Sequence, residues 1–498
     1  MIKSNGGIIG PDNVTTGGAF GSASGVFKLG EVTDLINESK WPTAGPQGYQ
    51  SANSCRFNSG SSDYLNRTPS SASNRRTFTF SFWVKRTKLS ANQTIYNVRP
   101  GSPGKFIFSF HSGDTFRIAV EPISKFVFTN RLFRDVSAWY HIVVAIDTTQ
   151  GTASNRIKLY VNGVQETSFS QASYPDQNAD LDVNTTTAIN IGRDLENSSN
   201  FIGMYLSEFV FIDGQQLAPT SFGEFNSQTG IWVPKVVTGL TFGTNGYYLP
   251  FTNSGALGED FSGEDNDFTV NNLTSLDQST DTCSTNFATL NPLDDYYFNG
   301  TFSDGNLSAV SNVSGYSFCT STMGVSSGKW YVETKSTTSN NLLVGVTGNT
   351  ATANTQGIGN AAGQASYGNA GALRLNGAYT SSWGSSYTSG DIVGVALDLD
   401  NNKIYFSKNG TWQDSANPSA GSGGETVSAA STTVTGNYFF GVSDNNSGTS
   451  STFSYNFGSP PYAISSGNTD GNGFGNFEYA PPSGFLSLNT KNLAAVLA

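Results

Sequence analysis

Strict alternation of apolar and polar residues is the feature that most narrows what this chain can fold into. Thr77-Phe78-Thr79-Phe80-Ser81-Phe82 sets three phenylalanines on one side and small hydroxylated residues on the other. Lys105-Phe106-Ile107-Phe108-Ser109-Phe110 repeats the pattern, and Ile157-Lys158-Leu159-Tyr160-Val161 again places its apolar set at every second position. A period of two is the signature of a strand with one buried face, and helices need a period near 3.6. Between the runs lie turn-forming clusters such as Gly151-Thr152-Ala153-Ser154-Asn155 and Asn162-Gly163. Short strands divided by polar turns predict an all-β chain of antiparallel sandwiches, of jelly-roll type.

Two stretches share one plan. His141-Ile-Val-Val-Ala-Ile-Asp147 leads through a polar turn to Ile157-Lys-Leu-Tyr-Val-Asn-Gly163. Ile392-Val-Gly-Val-Ala-Leu-Asp398 leads likewise to Lys403-Ile-Tyr-Phe-Ser-Lys-Asn-Gly410. Asn-Gly closes each hairpin because both residues tolerate positive φ. Two related sandwiches are therefore expected, over 47–251 and 286–498. The polar segment 252–285, with its acidic run Glu259-Asp260 to Asp267, reads as a linker. Ahead of them, 1–46 reads as a Gly/Ser/Thr-rich arm carrying one amphipathic helix. There Leu29, Val32, Leu35 and Ile36 fall at helical spacing, and Trp41-Pro42 ends the segment.

Composition removes several classes of function. Charged residues are 13% of the chain against about 25% in ordinary soluble domains, and 26 basic against 37 acidic residues leave a net charge of −11. No basic footprint exists for displacing counterions from phosphates, which argues against nucleic acid and anionic membrane surfaces as partners. No run of 18 apolar residues is present, so membrane insertion is not expected, and the first 30 residues lack the apolar region of a signal peptide. Cys55, Cys283 and Cys319 are too few and too scattered for a disulfide framework or a metal knuckle and read as free thiols.

Residues from about 50 to 250 resemble the laminin-G/pentraxin-like branch of the concanavalin A-like sandwiches. The resemblance rests on Arg56-Phe57-Asn58 with Asp63-Tyr64-Leu65, Phe80-Ser81-Phe82-Trp83-Val84 and Trp139-Tyr140-His141-Ile142-Val143-Val144. Leu159-Tyr160-Val161-Asn162-Gly163, Ile191-Gly192 and Phe201-Ile202-Gly203 continue the same order. Residues from about 286 to 488 resemble the SPRY domain through Gly328-Lys329-Trp330-Tyr331-Val332-Glu333, Gly390 to Val395, Lys403 to Gly410, Tyr438 to Ser443 and Asn456-Phe457-Gly458. The whole arrangement is similar to structural proteins of tailed bacteriophages, marine ones above all. It shares their Gly25-Val26-Phe27-Lys28-Leu29 to Trp41-Pro42 opening, their Asn245 to Leu249 and Ala288 to Asp294 segments, and their Pro482 to Thr490 ending. That resemblance implies a protein assembled in the host cytoplasm and exposed on the particle as tail fibre, knob or capsid decoration. It implies other virion proteins and two sister copies in a homotrimer as partners, the helix at Leu29–Ile36 as attachment point, and host-surface carbohydrate as target. The alternative is a purely structural head or tail component making only protein–protein contacts.

Catalysis is not expected. His141 lies in an apolar strand and His111 at a strand end before Gly113. Glycosidases of sandwich fold need two carboxyls facing one bond, about 5–5.5 Å or 6.5–9.5 Å apart. No strand here offers a matching acidic pattern, and Asp398 and Asp400 read as solvent-facing at a hairpin. No cofactor is expected. The laminin-G resemblance makes Ca²⁺ worth seeking at Asp147, Asp176, Asp180, Asp182 and Asp194, but no spacing among them singles out a site. Sugars stack on exposed aromatics framed by neutral polar side chains. Tyr379, Trp383 and Tyr387, interleaved with Ser, Thr and Gly, and Trp412 after the Asn409-Gly410 turn are the candidate glycan or receptor contacts.

Overall fold

The computed structural model describes residues 49–497 except 102–103, 122–123, 197–198, 227–228, 295–299, 312–316, 339–340, 350–356 and 445–449. It also describes an antiparallel pairing of Ile8–Ile9 with Val26–Phe27. The helix expected at Leu29, Val32, Leu35 and Ile36 lies outside the described residues. The chain divides into two compact units, Gly7–Thr285 and Asn286–Ala498.

The first unit is a sandwich of two eight-stranded sheets. One runs in the order Val164–Gln165, Ile157–Val161, Trp139–Asp147, Thr77–Arg86, Met204–Asp213, Ser54–Phe57, Gln278–Ser279, with Tyr247–Leu249 also paired to Met204–Asp213. The other runs Phe169–Ala172, Lys125–Leu132, Thr115–Glu121, Gly104–Phe110, Gln93–Gly101, Ile189–Ile191, Tyr64–Arg67, Thr269–Asn271. The predicted alternation fills the space between them. Phe78, Phe80 and Phe82 meet Phe106, Phe108 and Phe110, all fully buried, with Phe82 stacked on Phe108 at 5.5 Å and Phe80 on Phe211 at 4.4 Å. Each such ring contributes roughly 1.5–3 kcal/mol through burial.

Two expectations fail in this unit. Strand Thr77–Arg86 is buried on both faces, not one. A second apolar layer, including Phe222 and Phe242, lies on Val143, Ala145, Val210 and Ile212 of the outward side. Nor is 252–285 a linker. Leu257, Phe268 and Leu273 join the core, Thr269–Asn271 and Gln278–Ser279 add edge strands, and Asp281 forms a buried ion pair with Lys85 at 2.7 Å. The acidic run orders a loop: Asp260 accepts the backbone N–H groups of Tyr248, Ser262 and Asn266.

The second unit repeats the plan. Its larger sheet runs Thr301–Ser303, Ser308–Val310, Thr452–Asn456, Lys329–Thr338, Ile392–Asp398, Lys403–Lys408, Thr411–Trp412, and its smaller one Ser317–Val325, Tyr438–Asp444, Leu342–Thr347, Gln364–Gly368, Leu373–Leu375, Ala378–Thr380. The two hairpins foreseen as equivalent are equivalent in detail. Asn162 Oδ1 accepts the His141 N–H and Asn409 Oδ1 the Ile392 N–H, each at 2.8 Å. Gly163 (φ 79°) and Gly410 (φ 75°) follow. Each glycine is the seat of an aromatic ring from a later covering segment: a Cβ would meet Trp232 at 2.4 Å in one unit and Tyr479 at 2.5 Å in the other. A C-terminal helix, Thr490–Leu497, closes the second unit. Asn489 Oδ1 caps it by accepting the N–H groups of Lys491 and Asn492.

Candidate functional site

In the first unit, covering segments occupy the outward side of the sheet containing Thr77–Arg86. The other sheet also carries aromatic side chains on its outward face near one edge. Register fixes which they are. Asn66, Asn190, Asn97, Ile107, Ala119 and Phe126 form one row across six strands, all on the face opposite the core. The middle of the row is buried, and exposure rises towards Lys125–Leu132, where Phe126 and Phe128 are half-buried with Val127 turned inward between them. From the neighbouring strand the Arg117 guanidinium stands over both rings, 5.4 and 5.5 Å from their centroids. His111 meets Phe128 edge-on at 5.7 Å, and exposed Gln171 lies opposite Phe128 on the outer strand. At the buried end Asn271 Nδ2 donates to Asn66 Oδ1 at 2.6 Å and Arg193 Nε to Asn190 Oδ1 at 2.9 Å. Two phenyl faces, a guanidinium and an amide side by side are a chemistry suited to a polyhydroxylated ligand, which needs an apolar platform and fixed polar partners. Sequence inspection passed over this patch. The signal was present in Phe126-Val127-Phe128, an alternating run whose outward members are the large aromatics.

The four residues expected to touch glycan do not converge. Tyr379, on the edge strand Ala378–Thr380, is 60% exposed, with Arg374 at 5.2 Å from its ring. Tyr387 is 1% exposed; its hydroxyl donates to the carbonyls of Leu342 and Tyr367, so it is a core residue. Trp383 is partly buried, donates its indole N–H to Glu425 at 2.8 Å and packs on Tyr367 and Phe406. Trp412 packs on Tyr331 and Tyr405. Because Tyr405 and Phe406 are successive residues of one strand, Trp383 and Trp412 lie on opposite sides of that sheet.

The titratable groups serve structure. Nδ1 of His141 accepts the indole N–H of Trp232 at 3.0 Å, its Nε2 lies 2.8 Å from Ser81 Oγ, and burial drives its pKa down to about 3. Asp398, expected to face solvent, is fully buried and pairs with Lys329 at 2.9 Å. Burial opposes its ionisation, but hydrogen bonds from Asn401 and Lys329 outweigh it and hold the carboxyl below its ordinary range. Glu333 accepts the N–H groups of Glu478 and Tyr479 and the Tyr331 hydroxyl, while burial pushes it up to about 7. The five aspartates considered for Ca²⁺ serve separate local roles. Asp147 accepts from Thr149 and Gln150, and Asp176, Asp180 and Asp182 pair with Lys125, Arg76 and Arg75. Asp194 accepts from Asn97 and the N–H of Glu196. Among the described residues no three candidate ligands cluster for a metal ion.

Comparison with known proteins places one family match inside each unit. Residues 59–214 match the family model of the concanavalin A-like lectin/glucanases superfamily, and residues 329–427 match that of the SPRY domain. No curated protein matches the chain. Similar solved structures include the SPRY domain of human HERC1, at 20% identity, 30% of this chain, 87% of that chain and a TM-score of 0.24. A native heptameric SAP-like pentraxin from Limulus polyphemus is 14% identical over 34% of this chain and 75% of its own, with a TM-score of 0.23.

Proposed function

With a concanavalin A-like sandwich and a SPRY sandwich joined in one chain, we propose a non-enzymatic recognition protein that binds host-surface carbohydrate from the surface of a tailed-phage particle. The observation that carries the recognition reading is the half-buried Arg117–Phe126–Phe128 cluster at the outer end of its sheet in the first unit. Arg117 holds the two rings in place and exposed Gln171 stands opposite Phe128, so the uncovered ring surface and a polar partner fall within one patch. Tyr379 is a second contact, standing alone on its edge strand. Support for the particle surface is the sequence resemblance at the opening, at Asn245–Leu249 and Ala288–Asp294, and at the ending. Residues 1–46 are the attachment segment in this reading, and sister copies complete a homotrimer.

A glycan array probed with the full chain tests recognition. Binding to a defined set of cell-surface glycans is expected, with Phe128→Ala weakening it roughly tenfold, about 1.4 kcal/mol, at unchanged thermal stability of the second unit. Gold-labelled antibody should decorate the phage particle. Decoration without any glycan binding selects the purely structural alternative, and no decoration removes the particle from the proposal.

A further inference from the structure

His141 is held in an arrangement that only its neutral form can make. Its ring lies between two indoles, 4.7 Å from Trp83 at 28° and 5.8 Å from Trp232 at 26°. Trp232 donates to Nδ1, so the ring proton sits on Nε2 and is offered to Ser81 Oγ. Trp232 belongs to a hairpin, Gly223–Phe225 with Trp232–Pro234, that forms a two-stranded sheet of its own, paired as a strand with neither large sheet. Between its strands the Asn226 N–H donates to the Ile231 carbonyl and the Gly230 N–H to the Asn226 carbonyl. The Trp232 ring is thus the peg of this cap, seated against Gly163 and Gly223 and tied to His141. The charged side chains on and beside the elements around it are Lys85, paired with Asp281, Arg86, paired with Asp114, Asp147 at the end of the His141 strand, Lys158 on Ile157–Val161, and exposed Glu224 and Lys235 on and just after the hairpin.

We propose that His141 is an acid-operated latch: a proton on Nδ1 sets two donors against each other, frees Trp232, and lets the hairpin leave the sheet. The cap is a two-state element that closes over neutral imidazole and opens over imidazolium. Because the closed form holds the ring far below its ordinary pKa, closure is favoured above about pH 6.5 and lost progressively as the pH falls below it. Opening uncovers Trp83, His141 and Trp139, an aromatic face unlike the polar surface of the closed unit.

Hydrogen exchange of the full chain, followed by mass spectrometry and corrected for intrinsic rates, reads the latch directly. The opening equilibrium of 222–235 is expected to rise roughly 25-fold between pH 7 and pH 5, while strands Thr77–Arg86 and Trp139–Asp147 keep their protection. His141→Gln should show no such rise. With only two histidines in the chain, NMR titration of the wild-type rings supplies a reading even where that variant folds poorly; a broadened or exchanging His141 resonance that tracks cap opening is expected. A pH-independent 222–235, an equal acid response in His141→Gln, or simultaneous loss of protection across the whole unit each overturns the proposal.

Discussion

Replacing Asp281 should unfold far more than a loop substitution would. Its carboxylate accepts from Lys85 Nζ at 2.7 Å and from the Trp139 indole N–H at 3.1 Å, and the two charged side chains are 0% and 1% exposed. At that separation the attraction is roughly 6 kcal/mol for an effective dielectric near 20, set against a desolvation cost of several kcal/mol per ion. Asp281→Ala retains the cost of burying Lys85 and removes the attraction, leaving an ammonium and an indole N–H without their acceptor. The expected destabilisation is about 3–5 kcal/mol. In a unit of this size that lowers the melting temperature by roughly 6–20 °C. Calorimetry of the full chain checks this, since only the transition of the first unit should move. The double replacement Lys85→Met with Asp281→Leu removes both charges and should recover most of the loss. A change within about 0.5 kcal/mol for Asp281→Ala, the size typical of surface positions, would refute the reasoning and return 252–285 to the status of a tether.

Further expectations concern the hairpins and the aromatic segment. Gly163→Ala places a Cβ 2.4 Å from the Trp232 ring at a backbone φ of 79°, and should cost about 2–4 kcal/mol by denaturant unfolding. In the second unit Tyr387→Phe leaves two buried carbonyls without their hydroxyl donor and should cost about 1–3 kcal/mol. Tyr379→Ala, at an exposed ring, should change stability by less than about 0.5 kcal/mol, so any loss of binding it causes can be read as contact.

Much of the fold was legible because it rests on local pattern. Phe78, Phe80 and Phe82 declare their buried side by spacing alone, and Asn162-Gly163 and Asn409-Gly410 declare hairpins through a backbone requirement that few residue pairs meet. Errors arose where a residue's role depends on a distant partner. Asp281 and Lys85 are far apart in sequence, so an acidic polar stretch read as a solvated linker. Asp398 looked exposed because its partner Lys329 lies on another strand of the sheet. Tyr387 looked like a surface aromatic among serines, yet its hydroxyl reaches the backbone carbonyls of Leu342 and Tyr367. In the site, Phe126 and Phe128 were readable by alternation. What singled them out was which end of the sheet face stays uncovered, and that is set by tertiary packing rather than by any local run.

The aromatic rings seated on the two hairpin glycines, Trp232 on Gly163 and Tyr479 on Gly410, lie the same number of residues downstream in their respective units. During synthesis each of these hairpins can therefore form before its cover exists. At ribosomal speeds of roughly 5–20 residues per second, each hairpin waits several seconds for its covering ring. In that interval the missing cover is interchangeable with the same segment of any sister chain growing nearby, since the sequence is identical and the seat is empty. Exchange of identical segments between copies is a low-cost route to linked chains, and the late arrival of these covers supplies the moment for it.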